Sequence, residues 1–157
     1  MRASLFIPTL NAGPLLDEVL TAVDAQPGAA ELERVAIDSG SRDDTVAILR
    51  RHGFTVTTID KSEFNHGATR DRGITMTRGD VVVLLTQDAT PADREWLPRL
   101  LAAYDDPAVD GAWCRQIPRP DCNPILRRRI EEWMGDRRTL SLQRLPAGTT
   151  WGQLDPM

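Results

Sequence analysis

A chain of 157 residues, 41% apolar and 27% charged, has the length and composition of one soluble globular domain. Its formal charge of −4 argues against general binding to nucleic acid, and no run approaches the ~20 apolar residues needed to cross a bilayer. Cys114 and Cys122 fit neither a zinc spacing nor a disulfide framework, which suits incidental thiols of a cytosolic protein.

Ser4 to Pro8 reads as a short apolar strand, broken by Thr9-Leu10-Asn11-Ala12-Gly13. Pro14 suits a first helical position, and Leu15, Leu16, Val19, Leu20 and Val23 follow as one helical stripe. Arg34 to Asp38 is a second strand, turned by Ser39-Gly40-Ser41. Ser41 and Asp44 have capping-box spacing ahead of a helix through Val46 to Leu49, which His52-Gly53 closes before a third strand, Phe54 to Ile59. A helix opens within Phe64-Asn65-His66-Gly67 and runs to about Thr77.

The run Val81-Val82-Val83-Leu84-Leu85 is short, wholly apolar and β-branched, the pattern of a central strand buried on both faces. Trp96, Leu97, Leu100, Leu101 and Tyr104 mark a helix starting near Arg94, with Pro98 in its first turn. Val109 to Cys114 is expected as a fifth strand, 115–124 as a proline-containing loop, and Ile125 to Met134 as a helix. Residues 1–134 are thus expected to form the folded domain and 135–157 a loop or loose tail. The basic side chains cluster late: residues 115–157 hold 8 basic and 5 acidic groups, against 11 and 18 before them. A solvated helix face accounts for that excess.

Alternating strands and helices imply an α/β fold, a mostly parallel sheet with helices on both faces and right-handed crossovers. Ligands bind such sheets beyond the carboxyl ends of the strands. Three of those ends are polar: Pro8-Thr9-Leu10-Asn11, Asp38-Ser39-Gly40-Ser41 and Thr86-Gln87-Asp88. With strand order 3-2-1-4 they converge at the switch between strands one and four. There Asp38 can accept a pyrimidine N–H or serve only as a turn residue. Gly40 lets the backbone pass close to a ligand. Arg70 can hold a base or phosphate or be one more surface arginine. Asp88 can hold a cation bridging a diphosphate. His66 beside Gly67 is as readily a packing residue. No phosphate-binding G-x-x-x-x-G-K-[ST], no G-x-G-x-x-G and no G-x-S-x-G is present.

The segments S-L-F-I-P-T-L-N-A-G, V-A-I-D-S-G-S-R-D-D-T and V-V-L-L-T-Q-D-A-T-P resemble the nucleotide-binding half of family 2 glycosyltransferases of the GT-A fold. F-N-H-G-A-T-R-D-R-G at 64–73, T-Q-D-A at 86–89 and R-Q-I-P-R-P-D-C-N-P at 115–124 resemble the rhamnosyltransferase branch, although Cys114 stands where that branch often has glycine. The resemblance implies a transferase moving a sugar, plausibly rhamnose, from a dTDP- or UDP-sugar to a saccharide or lipid-linked acceptor in cell-surface polysaccharide synthesis. Pro8, Thr9, Asn11, Asp38, Gly40, Arg70, Gln87 and Asp88 would contact the nucleotide-sugar. Asp88 would also hold Mg or Mn, alone, because Thr86 replaces the first aspartate of the usual D-x-D. The family's acceptor side and carboxylate base, often a Glu-Asp pair, have no match after Asp88; Glu131-Glu132 is wrongly placed. The resemblance therefore implies an apparently truncated, donor-binding half, cytoplasmic or peripheral at the inner face of the membrane, without a transmembrane segment, and able to dimerise. A non-catalytic nucleotide-sugar-binding module is the alternative. A sugar nucleotidyltransferase would need a basic, glycine-rich N-terminal loop that 8–14 lacks.

Overall fold

The computed structural model describes residues 1–134, so the expected tail at 135–157 lies outside the described residues. The backbone divides into two compact units, Met1–Trp113 and Cys114–Met157.

The first unit is built on four strands: β1 (Ala3–Thr9), β2 (Glu33–Asp38), β3 (Thr55–Thr58) and β4 (Val81–Leu84). All pairs are parallel and the order is β3-β2-β1-β4, as expected. Four helices connect or follow the strands: α1 (Gly13–Asp24), α2 (Thr45–Arg51), α3 (His66–Thr75) and α4 (Trp96–Ala102), whose second and third positions are Leu97 and Pro98.

The alternation of side chains along β1 explains the layering. Leu5 and Ile7 point into one core with Leu16, Val19, Leu20 and Val23 of α1, Ile48 and Leu49 of α2, and Leu97 of α4. Phe6 points the other way, into a smaller core with Val35, Ile37 and Ile59, against which Phe64 and Met76 pack. There α3 lies so close that a Cβ on Gly73 would sit 2.2 Å from the Phe6 ring. No side chain larger than hydrogen fits without repacking.

Polar ties finish the frame. Ser4 Oγ donates to Glu33 Oε2, and Arg78 donates its backbone N–H and its Nε to the same carboxylate. The Ser4 hydroxyl and the Arg78 N–H hold the Glu33 carboxyl below the usual range. His52, at the end of α2, bonds Asp17 and Asp24 of α1 through its two ring nitrogens, at 2.8 and 2.6 Å. Hydrogen bonds from His52 and Arg51 hold the Asp17 carboxyl low.

Three expectations are corrected. Strand β4 is not central: among the described residues it is an edge, and Leu84 on its outer face is 45% exposed while Val81 and Val83 are buried. A β-branched apolar run announces a strand but not which of its faces is covered. Val109–Cys114 forms no strand; Asp110 and Gly111 interrupt the run with residues that pack poorly on a pleated surface. Ser41 does not cap α2, because its hydroxyl is drawn to Asp38; Asp43 instead accepts from the Thr45 N–H at the helix start.

In the second unit, α5 (Pro124–Met134) begins where expected. Asn123 Oδ1 accepts the Ile125 N–H at 2.9 Å, and proline fills the first helical position. None of its residues is buried, and Arg128 pairs with Glu132 one turn on, at 2.7 Å. Of the basic residues of this helix, Arg128 and Arg129 are exposed, while Arg127 is half-buried and donates to the carbonyls of Arg119 and Pro120.

Candidate functional site

Because all four strands are parallel, Asp38 at the end of β2 and Asp88, four residues past β4, lie at the same edge of the sheet. The β1–α1 loop is the hub of that edge. Asn11 adopts a left-handed backbone (φ 45°), uncommon for a residue with a side chain. Two bonds hold it: its N–H donates to Ser41 Oγ, and its Oδ1 accepts from the Arg42 N–H. Ala12 and Gly13 donate their N–H groups to Thr45 Oγ1, at 2.8 and 3.3 Å. Thr45 in turn donates its hydroxyl hydrogen bond to Asp43, and that bond, chiefly, holds the Asp43 carboxyl low.

Asp38 is fully buried. Its Oδ1 accepts from the N–H groups of Gly40 (3.1 Å) and Ser41 (2.8 Å), and its Oδ2 from the hydroxyls of Thr9 (3.0 Å) and Ser41 (2.5 Å). A carboxylate has about four lone-pair sites, and all four are taken from within the chain. Gly40 makes this possible by turning at φ +85°, where a side chain would be strained. A ligand N–H would have to displace one of these bonds to reach Asp38.

Next to it, Ser39 is buried and its Oγ has no hydrogen-bond partner. An open cavity of about 700 Å³ is lined by Leu10, Asn11, Ser39, Gly40, Arg42, Thr58, Ile59, Asp60 and Lys61. The cavity therefore lies over the ends of β1, β2 and β3. Its rim carries two cations, Arg42 and Lys61, and one carboxylate, Asp60. The Ser62 hydroxyl and N–H hold the Asp60 carboxyl below its usual range.

Asn11 and Gly40 of the expected residues line this cavity, and Thr9 and Asp38 support its floor. Pro8, Arg70, Gln87 and Asp88 do not line it. Arg70, on α3, donates to the carbonyl of His66 one turn nearer the helix start, at 2.7 Å. Gln87 is half-buried and spends its amide on Leu10. Asp88 is exposed. The residues missed from sequence are Ser39, Arg42, Thr58, Asp60 and Lys61. Ser39 stood beside a residue that was noted, and Lys61 is the one lysine among eighteen arginines, a singularity that carried no positional information.

Among the described residues no group of three or more His, Cys, Asp or Glu side chains could hold a metal ion. Asp88 alone fits a cation that keeps waters and takes its other ligands from phosphates, as magnesium does.

Residues 4–153 match the sequence family described as glycosyl transferase family 2. The chain belongs to that family. Among family 2 glycosyltransferases it is 38% identical over 127 residues to the O-antigen chain rhamnosyltransferase RfbN of Salmonella typhimurium, covering 80% of this chain and 40% of that protein. It is 36% identical over 124 residues to the O-antigen chain rhamnosyltransferase WbaN of Salmonella anatum, covering 78% and 39%. The chain thus spans about 40% of the length of these curated relatives. The mannosyltransferase PcManGT from Pyrobaculum calidifontis, solved with GDP-Man and Mn2+, superposes with a TM-score of 0.61 at 26% identity, over 69% of this chain and 33% of that one. TarS of S. aureus, solved with UDP-GlcNAc, shares the fold (TM-score 0.56, 24% identity, 74% and 38% coverage). The GT-A-like fold expected from sequence is the fold of these enzymes. No helix among the described residues is long and apolar enough to cross a membrane.

Proposed function

We propose that this chain holds the nucleoside diphosphate of an activated sugar, a dTDP- or UDP-sugar, for transfer of that sugar to a saccharide or lipid-linked acceptor. The observation that carries the reading is the cavity of about 700 Å³ over the carboxyl ends of β1, β2 and β3, lined by Ser39 and Gly40 and rimmed by Arg42 and Lys61. A cleft of that kind, with a few polar groups on its walls, suits the donor and acceptor atoms of a pyrimidine edge. Similarity to O-antigen rhamnosyltransferases supports rhamnose as the sugar and cell-surface polysaccharide as the product.

In this reading the base lies against Ser39 and Gly40, and Asp38 shapes the turn rather than touching the base. Arg42 and Lys61 oppose the negative charge of the donor. Asp88 would hold a divalent cation, which would stabilise the charge of the leaving diphosphate. The acceptor oxygen forms its bond to the anomeric carbon as the bond to the diphosphate breaks, and the acceptor proton goes to a general base. Glu131 and Glu132 of α5 are exposed, and no described contact assigns either of them that role. The location in this reading is cytoplasmic, in keeping with two cysteines, Cys114 and Cys122, whose spacing fits no disulfide framework.

Isothermal titration with dTDP, UDP, GDP and ADP tests the proposal. Tighter binding of the two pyrimidine nucleotides is expected. Equal affinity for all four removes the base-reading role, and no binding of any removes the nucleotide reading altogether. Turnover of dTDP-rhamnose, assayed separately, distinguishes a transferase from a binding module.

A further inference from the structure

We infer that Gln87 is a positioning residue, a side-chain rung that replaces a missing backbone rung between β1 and β4 and so fixes Asp88 relative to the nucleotide cavity. The inference rests on the nucleotide-binding reading above.

Alternate residues of β1 turn their backbone groups toward opposite neighbours. Thr9 faces β2, since its carbonyl accepts the Ser39 N–H at 2.9 Å. Phe6 faces β4, since its carbonyl accepts the Leu85 N–H at 3.1 Å. By that alternation residue 8 is the next to present an N–H toward β4, and it is a proline, which has none. Pairing of β1 with β4 stops there: Phe6↔Leu84 is the last partnered position. Leu10 is the next residue of the same parity, and no β4 backbone group meets it. The Gln87 side chain does. Its Oε1 accepts the Leu10 N–H at 2.8 Å, and its Nε2 donates to the Leu10 carbonyl at 3.2 Å. A primary amide presents the same donor and acceptor as a peptide group, so the rung is chemically a continuation of the ladder.

The backbone after β4 is thereby released from the strand direction. It turns at once, with the Ala89 N–H donating to the Thr86 carbonyl at 3.2 Å. Asp88 is left exposed beside the one amide that ties its loop to Leu10. Leu10 and Asn11 line the cavity, so the same rung that holds Asp88 also reaches the cavity wall. A Gln87 spent in this way is not available to read the donor directly.

The test uses the full chain and dTDP, titrated with and without MgCl2. Gln87→Met keeps length and removes both bonds. In the wild type, Mg2+ is expected to tighten dTDP. In Gln87→Met that enhancement is expected to shrink at least about fivefold, with Mg2+-free dTDP losing much less affinity than dTDP with Mg2+, and the Leu10 amide is expected to exchange with solvent faster. Gln87→Glu keeps the acceptor for the Leu10 N–H and loses the donor. It should fall between the other two and serves if Gln87→Met does not fold. An unchanged Mg2+ enhancement overturns the inference, as does an equal loss of affinity with and without Mg2+, or a wild type that binds dTDP indifferently to Mg2+. A wild type that binds no dTDP instead overturns the nucleotide reading on which the inference rests.

Discussion

The two sides of the crevice are built to different standards. On the β1–β2 side, Asp38, Ser41, Asn11 and Thr45 interlock through bonds that join two loops at many points. On the β4 side the amide of one side chain, Gln87, ties its loop to β1 beyond the ladder, through both backbone groups of Leu10. A preorganised wall suits a part of the ligand that does not change during reaction. A lightly tied carboxylate suits the part where charge develops and a product must leave. The substitutions below break or sharpen that contrast.

Asp38→Ala should have the largest effect, a loss on the order of 3 kcal/mol or failure to fold. It leaves the Thr9 and Ser41 hydroxyls and two N–H groups without an acceptor in a buried place. Urea denaturation measures it. A stable Asp38→Ala that merely fails to bind nucleotide would make Asp38 a direct contact and erase the contrast.

Thr45→Val should cost about 1–2 kcal/mol in the same assay, because the Ala12 and Gly13 N–H groups lose their acceptor. Ser39→Ala should do the reverse, stabilising by up to about 1 kcal/mol by removing an unpartnered buried hydroxyl, while weakening pyrimidine nucleotide binding. A destabilised Ser39→Ala would show that the hydroxyl has a partner in solution.

Acid should loosen the frame. Asp17, Glu33 and Asp43 all have folded pKa values depressed below their unfolded ones. Their contribution is therefore full above the unfolded carboxylate values of about 4 and is lost as pH falls through the folded values. Thermal melts from pH 7 to pH 3 should show Tm falling from about pH 4 downward. Glu33→Gln should flatten part of that fall. Asp88→Ala should be the smallest perturbation of stability, within about 0.5 kcal/mol as for an exposed position, yet it should abolish the Mg2+ enhancement of dTDP binding.

The strand ends were legible because β-branched and apolar runs stop abruptly at polar residues, as in V-A-I-D at 35–38. What Asp38 does there was not legible. Its role depends on Thr9 lying opposite it in register and on a turn through Gly40 that folds Ser41 back, both tertiary facts. The polar strand ends were expected to converge between strands one and four; the cavity sits over β1, β2 and β3, because the segment after β3 contributes Asp60 and Lys61 to its lining. Gln87 was read as a ligand contact from its place in T-Q-D-A. Its amide is bonded to both backbone groups of Leu10, a contact that no sequence pattern shows. Arg70 was placed on a helix and found on one, and its reach was beyond any pattern.

Strand β1 is the first element of the chain, yet it sits inside the sheet, and its second neighbour begins only at Val81. On a ribosome adding about 5–20 residues per second, roughly 4–15 s separate the emergence of the two strands. During that interval β1 can pair on its β2 side alone. Its other edge is a bare template that any extended segment could occupy. Proline at position 8 shortens that template by removing a donor, and the Leu10 rung cannot close until Gln87 has emerged. The two walls of the crevice are thus also two stages of synthesis, with the rigid one finished first.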